Sequence, residues 1–198
     1  LYIPESKKEK CPLIVNIHGG PHSDLPDVFC STNAFLIYQG FAILTVNYRG
    51  TIGYGEKYLN ELIGHIGDYE LNDVCDLVNE AITNYKSIDR NNIFLMGISF
   101  GGFITCSLAV SDALSKMFNA GAVKNPLTSI ADMMCGSDVP EWAYAELRKE
   151  KMVLPPSIDL FKECYEKSPL SRANTAKFPI VFFEGEKDRR LPPSAGLH

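Results

Sequence analysis

Short apolar runs alternate along the chain with longer amphipathic segments. The runs are rich in β-branched or aromatic residues and are bounded by Gly, Asn or Pro, a pattern typical of buried parallel strands. The segments between them place apolar residues three and four positions apart, as on one face of a helix. The pattern predicts strands at residues 13–17, 41–46, 93–96, 120–123 and 180–183, and helices at residues 32–38, 68–86, 103–114 and 160–165.

The alternation of strands with helices predicts the α/β class: a doubly wound, mostly parallel sheet with helices on both faces. Because 198 residues with 45% hydrophobic composition bury one core of ordinary size, we expect residues 1–198 to belong to one domain. The chain begins at Leu1 rather than Met and ends soon after the last predicted strand, so we expect a domain truncated at both ends. Residues 133–157 contain three prolines and no clear period, which predicts an irregular insertion beside the functional site.

A glycine-flanked serine stands where the third long predicted strand meets a predicted helix, in the pentapeptide Gly97-Ile98-Ser99-Phe100-Gly101. A serine hydroxyl attacks a carbonyl when it is exposed on a sharp turn within reach of a base, and such a turn requires small flanking residues. A plain tight turn and a phosphate cradle are the alternatives, but the lysine of a Walker-type cradle is absent. The motif predicts a serine hydrolase of the α/β-hydrolase fold with Ser99 as nucleophile.

Acyl transfer also needs two backbone N–H donors that converge on the developing oxyanion. One comes from the residue after the nucleophile, here Phe100, and the other from a loop after an earlier strand. His18-Gly19-Gly20-Pro21-His22 follows the first predicted strand directly, and its glycines let the backbone approach a substrate closely. We therefore expect Gly20 to supply the second donor, with a plain Gly-Pro turn as the alternative.

An acidic residue follows the last predicted strand, at the edge where open parallel sheets carry their sites. Asp188 comes after Ser99 in the chain order Ser, acid, His of this class of hydrolase. Glu186 is the competing carboxylate, and a surface ion pair with a neighbouring arginine is the other interpretation of Asp188. We expect Asp188 to be the acid of the triad.

None of the four histidines has the position expected of the catalytic base. His18 and His22 precede Ser99 in the proposed oxyanion loop, where structural hydrogen bonds are expected, and His65 is predicted to lie in a loop. His198 comes only ten positions after Asp188, too few for an intervening helix and strand. The sequence thus predicts that the catalytic His is not in this chain and that residues 1–198 alone are nearly inactive.

Five motifs together resemble the prolyl oligopeptidase family, and within it the members that release N-acylated amino acids. These motifs are NIHGGPHS (16–23), NYRGTIGYG (47–55), GISFGG (97–102), GSDVPEW (136–142) and DRRLP (188–192). The resemblance implies the same nucleophile, acid and oxyanion donors, and it adds Arg190 as the residue that binds a substrate carbonyl, a role that suits its rigid fork of donors.

The resemblance also implies a substrate, a location and an assembly. It implies a cytoplasmic enzyme that removes an N-acylated residue from the N-terminus of short peptides and whose full-length form is a homo-oligomer. Members of the family carry a β-propeller before the hydrolase domain, and no repeated four-strand pattern of that kind occurs in this sequence.

Charge and composition narrow the possible functions. A net charge of −5 argues against nucleic acid as a partner, and no apolar run approaches the roughly 20 residues that cross a membrane. The six scattered cysteines indicate reduced thiols, and neither a metal site nor a cofactor is expected. A carboxylesterase or lipase, and a truncated non-catalytic interaction protein, remain the alternative functions.

Overall fold

The computed structural model describes residues 1–5 and 10–191. Within them, five parallel strands form one sheet in the order β2-β1-β3-β4-β5. The strands are β1 (Cys11–Ile17), β2 (Ala42–Val46), β3 (Ile88–Ile98), β4 (Ala120–Lys124) and β5 (Ile180–Phe183). The helices are α1 (Ser31–Tyr38), α2 (Glu56–Asn60), α3 (Tyr69–Asn84), α4 (Phe100–Ala109), α5 (Ile130–Gly136), α6 (Glu141–Glu146) and α7 (Ile158–Lys167).

Helices cover both faces of the sheet. Strand β1 turns Leu13, Val15 and Ile17 into the large core cluster that also contains the buried faces of α3 and α4. Its intervening residue Asn16 points to the opposite face, where its side chain donates to Asn33 of α1 at 3.4 Å. The doubly wound arrangement predicted from the sequence is therefore confirmed.

The register of the sheet brings the ends of its central strands level with one another. Gly97 of β3 pairs with Ile17 of β1 on one side and with Val123 of β4 on the other. The segments that follow β1, β3, β4 and β5 consequently leave the sheet at one edge, the carboxyl edge at which open α/β sheets bind their ligands.

Residues 133–157 are more regular than the sequence suggested. They contain most of α5 and the whole of α6, which begins after Pro140. Helices of seven and six residues give too short a period to detect, and α6 is held by tertiary packing of Ala143, Tyr144 and Leu147 in the core. The expectation of an irregular segment was therefore wrong for these two helices, whereas residues 147–157 contain no helix or strand, as expected.

Two predicted elements differ most from the observed ones. Helix α4 spans Phe100–Ala109 rather than 103–114, because it starts directly at the bend after Ser99. Strand β3 starts at Ile88, five residues before the predicted strand, and its pairing with β1 shifts register between Cys11 and Leu13.

The structure also bears on the cysteines and on the question of a membrane-spanning helix. All six cysteines are free, which agrees with the reduced thiols expected from the sequence. No helix in the described part of the chain has the length and apolar character that spanning a bilayer requires.

Candidate active site

Ser99 lies in a strained bend between β3 and α4. Its backbone has φ 56° and ψ −118°, a left-handed conformation that costs a non-glycine residue about 1–3 kcal/mol. The Ser99 N–H donates to the Lys124 carbonyl at 3.0 Å, and its own carbonyl accepts the Gly102 and Leu127 amides at 2.9 and 3.1 Å. These bonds hold the bend at the carboxyl edge, with the Ser99 side chain partly exposed.

The glycines around Ser99 are required by close packing. A Cβ on Gly101 would collide with the Ile17 carbonyl oxygen, and one on Gly97 would collide with the backbone of Gly101. Helix α4 therefore begins directly against the end of β1. This contact places the elbow beside the residues that follow β1.

Those residues, 18–23, form what we call the glycine loop. Gly19 lies against the nucleophile: a Cβ there would be 2.9 Å from Ser99 Cβ. Gly20 has φ +122°, a backbone conformation that would be strained in a residue with a side chain. Across the bend, Phe100 is the first residue of α4, where a helix leaves its N–H groups without an intrahelical acceptor. The two predicted oxyanion donors thus belong to adjoining segments.

Two histidines of the glycine loop connect it to the residues that follow β2. His18 is buried, stacks on Tyr48 at 4.4 Å between ring centroids, and places Nε2 2.9 Å from Thr51 Oγ1. Burial lowers the pKa of His18 and favours its neutral form. His22 Nδ1 donates to the Gly50 carbonyl at 2.7 Å. Structural hydrogen bonding was the expectation for both rings, and it is confirmed.

Helix α6 contacts the glycine loop at two points. Trp142 Nε1 donates to the Gly20 carbonyl at 3.0 Å, and Glu146 Oε1 lies 3.3 Å from His22 Nε2. The neighbouring aromatic residues Phe100 and Tyr144 are almost fully buried, whereas Trp142 is partly exposed.

Asp188 is fixed by three donors in the turn after β5. Its Oδ1 accepts the Arg190 and Leu191 amides at 2.8 and 3.0 Å, and its Oδ2 accepts the side-chain amide of Asn125. Burial by itself would raise the pKa of Asp188, but the hydrogen bonds outweigh it and hold that pKa below the ordinary value. Asp188 is therefore an oriented carboxylate, whereas Glu186 in the same turn is exposed.

Arg190 points towards the loop before α6. Its Nε donates to Asp138 Oδ1 at 2.5 Å, and the Asp138 amide donates to the Arg189 carbonyl at 3.3 Å. The guanidinium is about half exposed and so stays accessible to a ligand. Pro192, the last residue of the DRRLP motif, and His198 lie outside the described residues.

Residues 27–198 match the sequence profile of the prolyl oligopeptidase family. The chain belongs to that family. The acylamino-acid-releasing enzyme of Arabidopsis thaliana is 37% identical over 203 residues, which cover 100% of this chain and 26% of that protein. The Homo sapiens enzyme of the same name is 33% identical over 191 residues, which cover 96% of this chain and 26% of that protein.

Solved structures agree with this family membership and show the α/β-hydrolase fold. An acylaminoacyl peptidase of Pyrococcus horikoshii superposes with a TM-score of 0.87 at 27% identity, over 98% of this chain and 31% of that one. An acylaminoacyl peptidase in complex with Z-Gly-Gly-Phe-chloromethyl ketone gives 0.86 at 27% identity, over 98% and 30%. The chain spans about a quarter of the length of the curated relatives it matches.

A cleft of about 580 Å³ opens beside the elbow of this prolyl oligopeptidase family member. Its walls include Gly19, Ser23, Ile98, Lys124 and Phe183. The space lies at the carboxyl edge and borders Ile98, the residue before Ser99. Within residues 1–5 and 10–191, no cluster of three or more His, Cys, Asp or Glu side chains could hold a metal ion.

Proposed function

We propose that the protein is a serine peptidase that removes an N-acylated amino acid from the N-terminus of short peptides. The observation that carries this proposal is the strained, partly exposed Ser99 at the carboxyl edge, packed against the glycine loop. The substrate class comes from the relatives, which are named for the release of acylated amino acids. Residues 1–198 are then part of the peptidase domain.

In this mechanism Ser99 Oγ attacks the carbonyl carbon of the scissile bond. A histidine takes the hydroxyl proton and then passes it to the leaving amine, which departs as the peptide bond breaks. Water hydrolyses the resulting ester on Ser99 and releases the N-acyl amino acid. The Gly20 and Phe100 amides stabilise the negative oxygen of both tetrahedral intermediates, and Asp188 orients the histidine and stabilises its cationic form.

The base comes from outside the described residues. His18 and His22 direct their ring nitrogens at Thr51, Gly50 and Glu146, and His65 stacks on Tyr69 at 4.3 Å between centroids. The carboxylate of Asp188 is already oriented to receive an imidazole N–H. Without that imidazole Ser99 is a weak nucleophile, so residues 1–198 alone should turn over very slowly.

Arg190 supplies a contact to the substrate. We assign its guanidinium to a carbonyl oxygen of the bound acylpeptide, because the group is about half exposed and Asp138 holds its Nε. Cytoplasmic location and homo-oligomeric assembly of the full-length protein belong to the same proposal and rest on the family alone.

The test compares two substrates in the full-length protein. The full-length protein should cleave the amide bond of an acetylated peptide anilide as well as a short p-nitrophenyl ester, and a fluorophosphonate should label the protein at Ser99. Ser99→Ala should abolish both activities and the labelling. Ester turnover without peptide turnover would assign a carboxylesterase instead. If neither substrate reacts and Ser99 stays unlabelled, the protein is a non-catalytic interaction protein.

A further inference from the structure

Two side chains of α6 contact the glycine loop on either side of Pro21. Trp142 donates to the Gly20 carbonyl, and Glu146 pairs with His22. Trp142 and Glu146 are four residues apart, so they project from the same face of the helix one turn apart. The contacts therefore form one clamp of two side chains on one loop.

Within the loop, His18 Nδ1 lies 2.8 Å from the Gly19 carbonyl oxygen and the Ser23 amide donates to the Pro21 carbonyl at 2.9 Å, but neither bond involves Gly20. Pro21 has no N–H to donate, and Gly20 is the residue with the greatest backbone freedom. The Trp142 hydrogen bond fixes the orientation of the Gly20 carbonyl, and with it the peptide plane that follows Gly20. The position of the Gly20 N–H then depends on where α6 holds that plane.

The second contact joins an imidazole ring to a carboxyl group. Both ring nitrogens of His22 face oxygen acceptors, the Gly50 carbonyl at 2.7 Å and Glu146 Oε1 at 3.3 Å, an arrangement that favours the imidazolium. Interaction with Glu146 raises the pKa of His22. Glu146 is 3% exposed, and its Oε2 has no hydrogen-bond partner within the described residues, so its charge depends on His22 for compensation. The Glu146 side of the pair is buried although the His22 side chain is 30% exposed, so removing His22 would leave a buried carboxyl group without its partner.

Helix α6 is itself firmly placed. Ala143, Tyr144 and Leu147 lie in the core, and the Glu146 carbonyl accepts the Gly64 amide at 2.7 Å. Because α6 is packed in the core, its contacts restrict the movement of the exposed Gly20.

We propose that Trp142 and Glu146 are positioning residues, which act through the Gly20 carbonyl and His22 to hold the Gly20 N–H where it stabilises the oxyanion. This inference rests on the proposed function, since it needs an oxyanion at that place. A donor that serves the transition state contributes to kcat, because the charge it stabilises is absent from the bound substrate. Loss of the clamp should consequently reduce kcat and leave KM nearly unchanged.

Three single variants of the full-length protein test this. Trp142→Phe removes the N–H donor and keeps a ring to pack on Phe100, from which Trp142 lies 5.8 Å between centroids. Glu146→Gln removes the charge with little change in size. Glu163→Gln is the matched control, because it breaks an ion pair, Lys149–Glu163 at 2.8 Å, that does not involve the glycine loop.

We expect kcat of Trp142→Phe and of Glu146→Gln to fall about tenfold or more, with KM within about twofold of the unaltered protein. The control should keep both constants. A double-mutant cycle of His22→Gln with Glu146→Gln should show the double variant no slower than the worse single variant. Apparent Tm, measured alongside, shows whether Glu146→Gln is folded; if it is not, Trp142→Phe decides.

Both a peptide anilide and a p-nitrophenyl ester serve as substrates, since an oxyanion forms with each. If only the ester is cleaved, the peptidase proposal fails and the clamp is still tested. If kcat of both variants stays within about twofold of the unaltered protein, or if the loss lies wholly in KM, the clamp is refuted and the peptidase proposal stands. A protein that cleaves neither substrate refutes both.

Discussion

Asn125 connects the end of β4 to Asp188 through both ends of its side-chain amide. The NH₂ group donates to Asp188 Oδ2, and the carbonyl oxygen accepts the Gly185 amide at 2.8 Å. The preceding residue, Lys124, accepts the Ser99 N–H at 3.0 Å. Two consecutive residues of one strand end therefore fix the proposed nucleophile on one side and the proposed acid on the other.

Asn125→Ala should lower kcat about tenfold, because Asp188 would keep its backbone donors but lose the one that sets its rotation. The measurement is kcat with an acetylated peptide anilide in the full-length protein. Asn91→Ala, at an exposed asparagine, is the control and should leave kcat unchanged. An unchanged kcat in Asn125→Ala would show that the backbone amides alone orient Asp188.

Gly101→Ala should destabilise the fold by about 2–3 kcal/mol, because the new Cβ would press α4 away from the end of β1. Gly136→Ala is a matched substitution in a helix with nothing within 4 Å of the new Cβ. It should be neutral or stabilising by up to about 1 kcal/mol. Thermal unfolding of both variants measures the difference, and equal stabilities would contradict the close packing at Gly101.

Glu70 should make stability depend on pH near neutrality. Its carboxylate is fully buried and accepts the Gly67 amide at 2.6 Å; burial raises its pKa from 4.5 to about 7, against the opposing effect of the amide donors. Between pH 4.5 and about 7 the folded state holds a proton that the unfolded chain has lost, so stability falls as pH rises through this window.

The check on Glu70 compares apparent Tm across that window. Relative to Glu70→Gln, the unaltered protein should lose about 3 °C or more between pH 4.5 and pH 7. For Glu80→Gln, on the exposed side of the same helix, apparent Tm should change with pH in the same way as in the unaltered protein. If apparent Tm of Glu70→Gln also followed that of the unaltered protein across this pH range, Glu70 would not titrate there.

Arg190→Lys should raise KM for an acylated peptide about tenfold, because an ammonium cannot donate two parallel hydrogen bonds as the guanidinium does. The same change should leave fluorophosphonate labelling of Ser99 intact, since the probe lacks the peptide carbonyl that Arg190 is proposed to bind. A drop in labelling as large as the rise in KM would place Arg190 in the reaction at Ser99 rather than in substrate binding.

The sequence was informative where local rules decide the structure. The bend at Ser99 follows from glycines on both sides of a strand-to-helix junction, and the turn of Asp188 follows from its place after an apolar run. The clamp on the glycine loop could not be predicted in this way. Trp142 and Glu146 lie in a six-residue helix after a proline, and no local sequence pattern predicts that they contact Gly20 or His22. Their contact is created by tertiary packing alone.

The hydrogen bond from Trp142 to Gly20 joins positions 122 residues apart. Chain segments so distant meet only after the sheet between them has assembled, because closing a long loop has an entropic cost that earlier contacts must offset. Catalytic competence would then be acquired late in folding. In a refolding experiment, secondary structure should return first, and enzymatic turnover should recover with a measurable delay.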